Sequence, residues 1–235
     1  YTGGAEILKE TFTLKDQGDR DLALRYDLTV PMCRVIAMNP NLRLPFKRYQ
    51  MDKVFRDGPV EKGRVREFYQ CDVDVIGSKS LICEAEIAKL IVNVFTKLGF
   101  KNFKIKVNSR CLMNSILKCF GISEDKALSV IRLIDKIDKI GREAVLTQMK
   151  IEGVKDPKKL LDVLVSDVDN AKTLKKLSKY VTGDLDEFFG YCKNVGVEDS
   201  YLEFDPTLAR GLDYYTGLIF EVVSADGEFG SICAG

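Results

Sequence analysis

The residues best suited to chemistry lie in Arg64–Ile76, RVREFYQCDVDVI. Side chains alternate across a strand, so every second residue shares a face. One face carries Arg64, Arg66, Phe68, Gln70, Asp72 and Asp74. The other carries Val65, Glu67, Tyr69, Cys71, Val73 and Val75; it is mostly apolar and reads as core. The first face grades from guanidiniums, through an aromatic ring and an amide, to carboxylates. Guanidinium forks match phosphate oxygens, and an aromatic face stacks on a purine. Carboxylates at the far end suit an ammonium group or a ring N–H. The row would accommodate a phosphate-bearing molecule beside a small amine-bearing one. The plain alternative is a hairpin with surface arginines and one core Phe.

Other clusters extend this chemistry. Arg56 lies just upstream, across a short loop. Asp27 and Thr29, with Gln70 and Asp74, would hold an ammonium and a ring N–H; otherwise they are polar residues facing solvent. Asp72-Val73-Asp74 also matches the Asp-x-Asp pattern of metal-dependent sugar transferases, on three residues only. Arg210-Gly211-Leu212-Asp213-Tyr214-Tyr215-Thr216-Gly217 is the densest cluster. Glycine permits close backbone approach to a ligand, and Tyr offers a flat wall with a hydrogen-bonding tip. A turn before a strand, with partly buried tyrosines, is the alternative there. Asn108 and Arg110 follow a predicted strand and read as a turn and a surface cation.

Composition narrows the classes. The 235 residues carry a formal net charge of +1, which does not indicate a strongly basic nucleic-acid binder, although a local patch is compatible with it. The chain contains no histidine. Imidazole catalysis and His-ligated zinc are therefore excluded. Arginine with Mg²⁺ suffices for phosphoryl or nucleotidyl transfer, which rests on positioning and charge stabilisation. Neither a Walker A sequence nor GxGxxG is present. The seven scattered cysteines form no CxxC pair and read as reduced, mostly buried thiols of a cytoplasmic protein. No apolar run has membrane-spanning length, and no signal peptide opens the chain, so no membrane partner is expected.

The elements that must position these residues follow from periodicity. Asp21–Leu28 alternates, with Leu22, Leu24 and Tyr26 on one face, and Pro31 ends it. Met32–Met38 reads as a short helix. Phe46–Arg56 alternates again, and the loop DGPVEKG at 57–63 joins it to the Arg64 strand as an antiparallel hairpin. The spacing predicts a helix over Leu81–Leu98 with Gly99 as its stop. Phe103, Ile105 and Val107 mark a strand. From about Ser109 to Val195 the periods are helical, and Asp156-Pro157 reads as an N-cap with Pro at the first helical position. Lys172, Lys175, Lys176 and Lys179 read as a solvated helix face, with contact to a polyanion as the alternative. Strand-like alternation returns at Leu218–Val223. The fold class expected is α+β: an antiparallel sheet with flanking helices and a mainly helical insertion. Residues 1–108 and 201–235 would form a catalytic core, and 109–200 the insertion.

Three segments, in order, give the chain a resemblance. FRDGPVEKGRVREFYQCDVD at 55–74 resembles motif 2 of class II aminoacyl-tRNA synthetases. LARGLDYYTG at 208–217 resembles the histidine-specific signature of the histidyl-tRNA synthetase family, and LRYDLTVP at 24–31 resembles the segment lining its amino-acid pocket. The resemblance implies a class II synthetase-like fold. It also implies ATP-dependent activation of L-histidine to histidyl-adenylate, then transfer to tRNA(His), with Mg²⁺ accompanying ATP and no metal site of the protein's own. Arg56 would bind the α-phosphate and the histidine carboxylate. Arg64 would hold the γ-phosphate, with Arg66 also on the ATP side, and Phe68 would stack on adenine. Asp27, Thr29 and Gln70 would bind the α-amino group. Asp74 and Tyr215 would read the imidazole, with Tyr214 shaping the pocket. Arg210 would be the main catalytic cation and would also contact histidine.

The match also has departures. Gly58 stands where motif 2 often has a Glu. Motif 1, which builds the family's homodimer interface, and motif 3, with its ATP-binding Arg, are not found in these 235 residues. The expectation is therefore a catalytic-core fragment, inactive or weak by itself. The rivals are a synthetase-like regulatory paralogue that senses histidine or uncharged tRNA, and a nucleotide-sugar transferase using Asp72 and Asp74. Retention of Arg56, Arg64 and Arg210 favours the enzyme over the paralogue.

Overall fold

The computed structural model describes residues 5–60, 63–165, 169–180, 183–209, 215–224 and 230–235. The chain forms two compact units, Tyr1–Cys83 and Glu84–Gly235. The whole is α+β, as expected.

The first unit opens with α1 (Ala5–Lys9), β1 (Thr13–Lys15) and β2 (Asp21–Ala23). β1 and β2 pair antiparallel across a turn held by Asp16, whose Oδ1 accepts from the N–H groups of Gly18 and Arg20 at 2.9 and 3.0 Å. The strand expected to run to Leu28 stops at Ala23. The chain leaves that ladder because Arg25 is drawn onto another strand: Phe55 N donates to Arg25 O at 2.9 Å, and Arg25 Nε donates to Lys53 O at 2.6 Å. α2 (Thr29–Met38) then starts earlier than periodicity predicts. Asp27 Oδ1 accepts from Val30 N at 3.0 Å, satisfying one of the helix's free donors. Pro31 lies inside the first turn, where its missing N–H costs nothing.

β3 (Phe46–Phe55) and β4 (Glu67–Ile76) form the expected antiparallel hairpin, in register from Phe46↔Ile76 to Phe55↔Glu67. Arg56 N donates to Arg66 O at 2.9 Å and extends the pairing toward the loop. Gly77, which ends the hairpin, has φ +88°, and a Cβ there would stand 2.7 Å from the Leu44 side chain; only glycine fits.

The hairpin corrects the expected burial of its faces. The apolar face is exposed: Tyr49 is 77% and Tyr69 67% accessible, with Met51, Cys71 and Val73 also exposed. Phe68, Gln70, Asp72 and Asp74 on the opposite face are half-buried. Alternation separates two faces but does not say which points inward. Here the Tyr26–Leu28 segment decides it: Arg48 Nη2 donates to Leu28 O at 3.1 Å, and Arg56 Nε donates to Tyr26 O at 3.4 Å.

The second unit begins within α3 (Ile82–Lys97), close to the predicted bounds. Ala85, Ala88, Ile91, Val92 and Phe95 form its buried stripe. β5 (Phe103–Ser109) follows, with Phe103, Ile105 and Val107 in the core. Between β5 and β6 the helices are α4 (Arg110–Cys119), α5 (Glu124–Ile134), α6 (Ile137–Ile140), α7 (Arg142–Ile151), α8 (Pro157–Leu164), α9 (Asn170–Leu177) and α10 (Gly183–Asn194). Asp156 caps α8 as predicted, accepting from Lys159 N at 3.4 Å, with Pro157 at the first helical position. Lys172, Lys175, Lys176 and Lys179 are solvent-exposed.

β6 (Leu202–Phe204), β7 (Leu218–Ser224) and β8 (Ser231–Ala234) complete a sheet of order β6-β5-β7-β8. β5 runs parallel to β6 and antiparallel to β7. Asn108 and Arg110 correct their expectation: both are buried, 0% and 6% accessible, as the penultimate residue of β5 and the first of α4. The cysteines correct theirs as well. All seven are free, but Cys192 alone among them is buried, and burial pushes its thiol up to about 12. Among the described residues, no helix is long and apolar enough to cross a membrane.

Candidate active site

The inward face of the hairpin is built by cross-strand register. Arg48 stands opposite Asp74, Gln50 opposite Asp72, Asp52 opposite Gln70, and Val54 opposite Phe68. Cross-strand neighbours on one face meet directly. Arg48 Nε donates to Asp74 Oδ2 at 2.9 Å, and Arg48 Nη1 donates to Gln50 Oε1. Together with the bond to Leu28 O, these contacts tie the Arg48 guanidinium to Asp74, Gln50 and the backbone at Leu28. The alternation of Phe46–Arg56 carried a signal for Arg48: it lies an even number of residues from Arg56 and so on the same face. Sequence reading assigned it no role.

Arg56 is half-buried between two rings. Its guanidinium carbon lies 4.3 Å from the Tyr26 ring centroid and 5.2 Å from that of Phe68. A planar cation held this way keeps its outer N–H groups aimed away from the rings, and less side-chain freedom is lost when an anion docks. Tyr26 was read as a strand residue, yet it stacks on Arg56 and its hydroxyl donates to Glu10 Oε2 at 3.2 Å. Burial raises the Tyr26 phenol above its ordinary value, against the lowering effect of Arg56.

Glu10 is a second residue that sequence reasoning missed. A Cβ on Gly58 would stand 3.6 Å from Glu10 Oε1. Gly58 thus lies beside a carboxylate from the residue that follows α1. No local sequence signal links Glu10 to Gly58, because the contact is non-local.

The carboxylate end is electrostatically crowded. Asp27 is 7% accessible. Asp72 titrates above the usual carboxylate range; burial is the main cause, and the charges of Asp74 and Asp27 add to it, against Arg48 and Arg56. Asp27, Asp72 and Asp74 outnumber Arg48 and Arg56 by one charge, so the cluster is one cation short. Gln70 contributes a buried carbonyl oxygen, Oε1, with no hydrogen-bond partner among the described residues. An unsatisfied buried acceptor costs about 1–3 kcal/mol. A donor-bearing cation would relieve both conditions at once. Thr29, at the start of α2, is half-buried.

Arg64 and Arg66 do not share the half-burial of Phe68, Gln70, Asp72 and Asp74. Both are exposed, and Arg66 is turned to the connecting loop through Gly58 O at 3.2 Å and Asp57 at 3.6 Å. Within the first unit, then, Asp27, Arg56, Phe68, Gln70 and Asp74 belong to one constellation. Tyr215 lies in the second unit and is half-buried. Arg210 and Tyr214 lie outside the described residues. No group of three or more Cys, Asp or Glu residues suited to a metal occurs among the described residues.

A family model, "Histidyl-tRNA synthetase", matches residues 1–235. The chain belongs to the histidyl-tRNA synthetase family. It is 42% identical over 239 residues to histidine–tRNA ligase 1 of a Bacillus cereus strain, a match covering 98% of this chain and 56% of that protein. The crystal structure of histidyl-tRNA synthetase from Nostoc sp. PCC 7120 superposes with a TM-score of 0.85 at 32% identity, covering 98% of this chain and 57% of that one. A structure described as an ATP phosphoribosyltransferase regulatory subunit/histidyl-tRNA synthetase from Bacillus halodurans C superposes at 0.76 with 20% identity, covering 96% and 60%; at that identity it shows the fold alone. The chain spans about half the length of the curated relatives it matches. Family membership displaces the sugar-transferase reading, and Asp72 and Asp74 are best understood as members of the hairpin constellation.

Proposed function

We propose that this protein belongs to a histidine–tRNA ligase that activates L-histidine with ATP and transfers it to tRNA(His). The observation that carries the reading is the unsatisfied Gln70 Oε1 beside a carboxylate cluster short of one cation, on the same hairpin face as the ring-sandwiched Arg56. An α-amino acid brings an ammonium for the first and a carboxylate for the second.

In the proposed chemistry, Asp27, Thr29 and Gln70 hold the ammonium, and Asp74 and Tyr215 read the imidazole, with Tyr214 shaping the pocket. Arg56 aligns the histidine carboxylate with the α-phosphate. Phe68 stacks on adenine and Arg64 holds the γ-phosphate, with Arg66 also on the ATP side. A carboxylate oxygen attacks the α-phosphorus, the bond to the bridging oxygen breaks, and pyrophosphate leaves with the electron pair. The attacking group is already ionised, so no base is needed; alignment and electrostatic stabilisation suffice. Arg210 supplies the cation that stabilises the charge developing on the phosphorus. A ribose hydroxyl of the tRNA then displaces AMP from the acyl carbon. Mg²⁺ enters with ATP as part of the substrate. Polar groups aimed at an imidazole reject other amino acids because those groups are left unpaired.

The same reading includes a cytoplasmic homodimer as the working form. Because the relatives are nearly twice as long, we propose that these 235 residues alone turn over poorly, and the test uses the full-length protein. The test is ATP–pyrophosphate exchange with histidine and with other amino acids. Exchange that depends on histidine alone is expected. Histidine binding without exchange would point instead to a regulatory paralogue, the class of protein that shares the fold at low identity.

A further inference from the structure

Glu10 sits where three segments of the first unit meet. Its backbone carbonyl accepts from Asp57 N at 2.8 Å, at the start of the loop that joins β3 to β4. Its side chain turns to two other residues. Oε2 accepts from the Tyr26 hydroxyl at 3.2 Å, and Oε1 lies 3.6 Å from where a Cβ on Gly58 would stand. Glu10, Tyr26 and Arg56 are all partly buried. Drawing a carboxylate out of water costs free energy unless hydrogen bonds or opposite charges compensate it. The Tyr26 hydroxyl provides one such bond. Burial raises the Tyr26 phenol above its ordinary value, so the hydroxyl stays protonated, and a donor, through the neutral range.

Tyr26 is in turn fixed to Arg56 at two points. Its ring centroid lies 4.3 Å from the guanidinium carbon, and its carbonyl accepts from Arg56 Nε at 3.4 Å. The Phe68 centroid lies 5.2 Å from the same carbon. The backbone on either side of Tyr26 is held without help from the Glu10 side chain. Leu24 N donates to Phe12 O at 3.0 Å, and Phe55 N donates to Arg25 O at 2.9 Å. The bond from Asp57 N also survives any side chain at position 10. What the Glu10 carboxylate adds is therefore a tether at the tip of the Tyr26 ring.

We propose that Glu10 is a positioning residue for Arg56: through the Tyr26 hydroxyl it fixes the ring that carries the guanidinium, and so where that cation meets the reacting carboxylate and phosphate. This rests on the catalytic reading of Arg56 given above. All three residues belong to the first unit, so the relay is complete within it. Alignment of reacting groups is steep in distance, and a misplacement of about 1 Å costs roughly 10²-fold in rate.

Asp16 provides an internal comparison. It is a carboxylate of the same unit that accepts from Gly18 N and Arg20 N at 2.9 and 3.0 Å, but these partners lie in the β1–β2 turn. The experiment measures histidine-dependent ATP–pyrophosphate exchange on the full-length protein, well below each variant's melting temperature. The variants are Glu10→Ala, Glu10→Gln, Tyr26→Phe, the Glu10→Ala/Tyr26→Phe double variant, Asp16→Ala and Arg56→Ala. Tyr26→Phe keeps the ring and removes only the hydroxyl, so it carries the test if Glu10→Ala fails to fold. Glu10→Ala and Tyr26→Phe are each expected to lower kcat about ten-fold, the loss for a displacement well short of 1 Å. The histidine KM should change little, because the ammonium and imidazole ends of the pocket are untouched. Glu10→Gln keeps an acceptor for the hydroxyl and should retain most of kcat. The double variant should lose no more than either single one, because both changes cut the same tether. Asp16→Ala should lower the melting temperature and leave kcat near wild type.

Unchanged kcat in Glu10→Ala or in Tyr26→Phe, or losses that multiply in the double variant, would overturn the proposal and leave Glu10 a structural residue of the loop junction. A loss in Glu10→Gln equal to that in Glu10→Ala would also overturn it, by assigning the effect to charge and not to the tether. If Arg56→Ala itself leaves exchange intact, the catalytic reading of Arg56 falls first, and this proposal falls with it.

Discussion

At the scale of single residues, the site can be tested through what Gln70 and Asp72 lack. Gln70 Oε1 is buried without a partner among the described residues, so Gln70→Met should not cost stability. Removing an unsatisfied acceptor is expected to leave the melting temperature unchanged or to raise stability by about 1 kcal/mol. The same change should raise the histidine KM by roughly ten-fold or more, since a hydrogen bond to a charged group contributes about 1.5–3 kcal/mol. A lower melting temperature with an unchanged KM would sink the ammonium role. Asp72 titrates above an ordinary carboxylate because it is buried beside Asp74. In the free protein it therefore holds its proton at a pH where an unfolded Asp, with its value of 3.8, is already ionised. The folded state carries the extra proton between those two values, so this group's contribution to stability is complete below the unfolded value and is lost as pH rises through the native one. A bound ammonium reverses the preference and expels the proton. Histidine affinity should thus fall as pH drops into that window, with proton release measurable by calorimetry in buffers of different ionisation enthalpy. Asp72→Asn should abolish both effects; a pH profile identical to wild type would remove Asp72 from the site.

At the scale of elements, the hairpin is held in place by Arg48 more than by any residue singled out from the sequence. Its guanidinium spans β4 through Asp74 and the start of α2 through Leu28 O. Arg48→Met keeps the length of the side chain but strands the partly buried Asp74 carboxylate. A loss of about 2 kcal/mol is expected in chemical denaturation, within the range for breaking a hydrogen-bonded charge pair. The double variant with Asp74→Asn should recover part of that loss, and no recovery would mean that the two residues are not coupled. Sequence reading found the hairpin, α3, the Asp156 cap and the strands around Val107 and Phe220, because each is announced by period or by a cap within a few residues. It misassigned the hairpin's faces because the Tyr26–Leu28 backbone that covers one of them lies tens of residues upstream. It likewise took Asn108 for a turn residue. The carbonyls that satisfy it, at Pro206 and Leu208, are about a hundred positions away, and nothing in a local window reports them. The polar grading of β4 was legible as chemistry; its supports, Arg48, Tyr26 and Glu10, were not.

At the scale of the molecule, apolar burial is divided unequally between the two units. Of the described residues, the first unit buries only Ile7, Leu28 and Val54 among its hydrophobics, whereas the core cluster of the second runs from Ala85 to Val222 through both the sheet and the helices. Stability in a protein follows apolar area removed from water, and segments with little of it open locally at low cost. The hairpin that carries Arg56, Phe68, Gln70 and Asp74 lies in the poorer unit. Hydrogen exchange on the whole chain should therefore separate two classes. Amides of β5 and β7 are expected to exchange only through global opening, while those of β3 and β4 exchange faster and through smaller openings. Ligands that bind the native hairpin and not its opened form shift that balance by mass action, by about 2.7 kcal/mol at a hundred times the dissociation constant. Histidine with ATP should accordingly slow exchange in β3 and β4, in the full-length protein as well, and leave β5 nearly unaffected. Equal protection of both strand pairs in the free chain would show that the hairpin draws stability from elsewhere than its own buried surface. Protection by the ligands that appeared in β5 and spared β3 and β4 would move the binding site off the hairpin altogether.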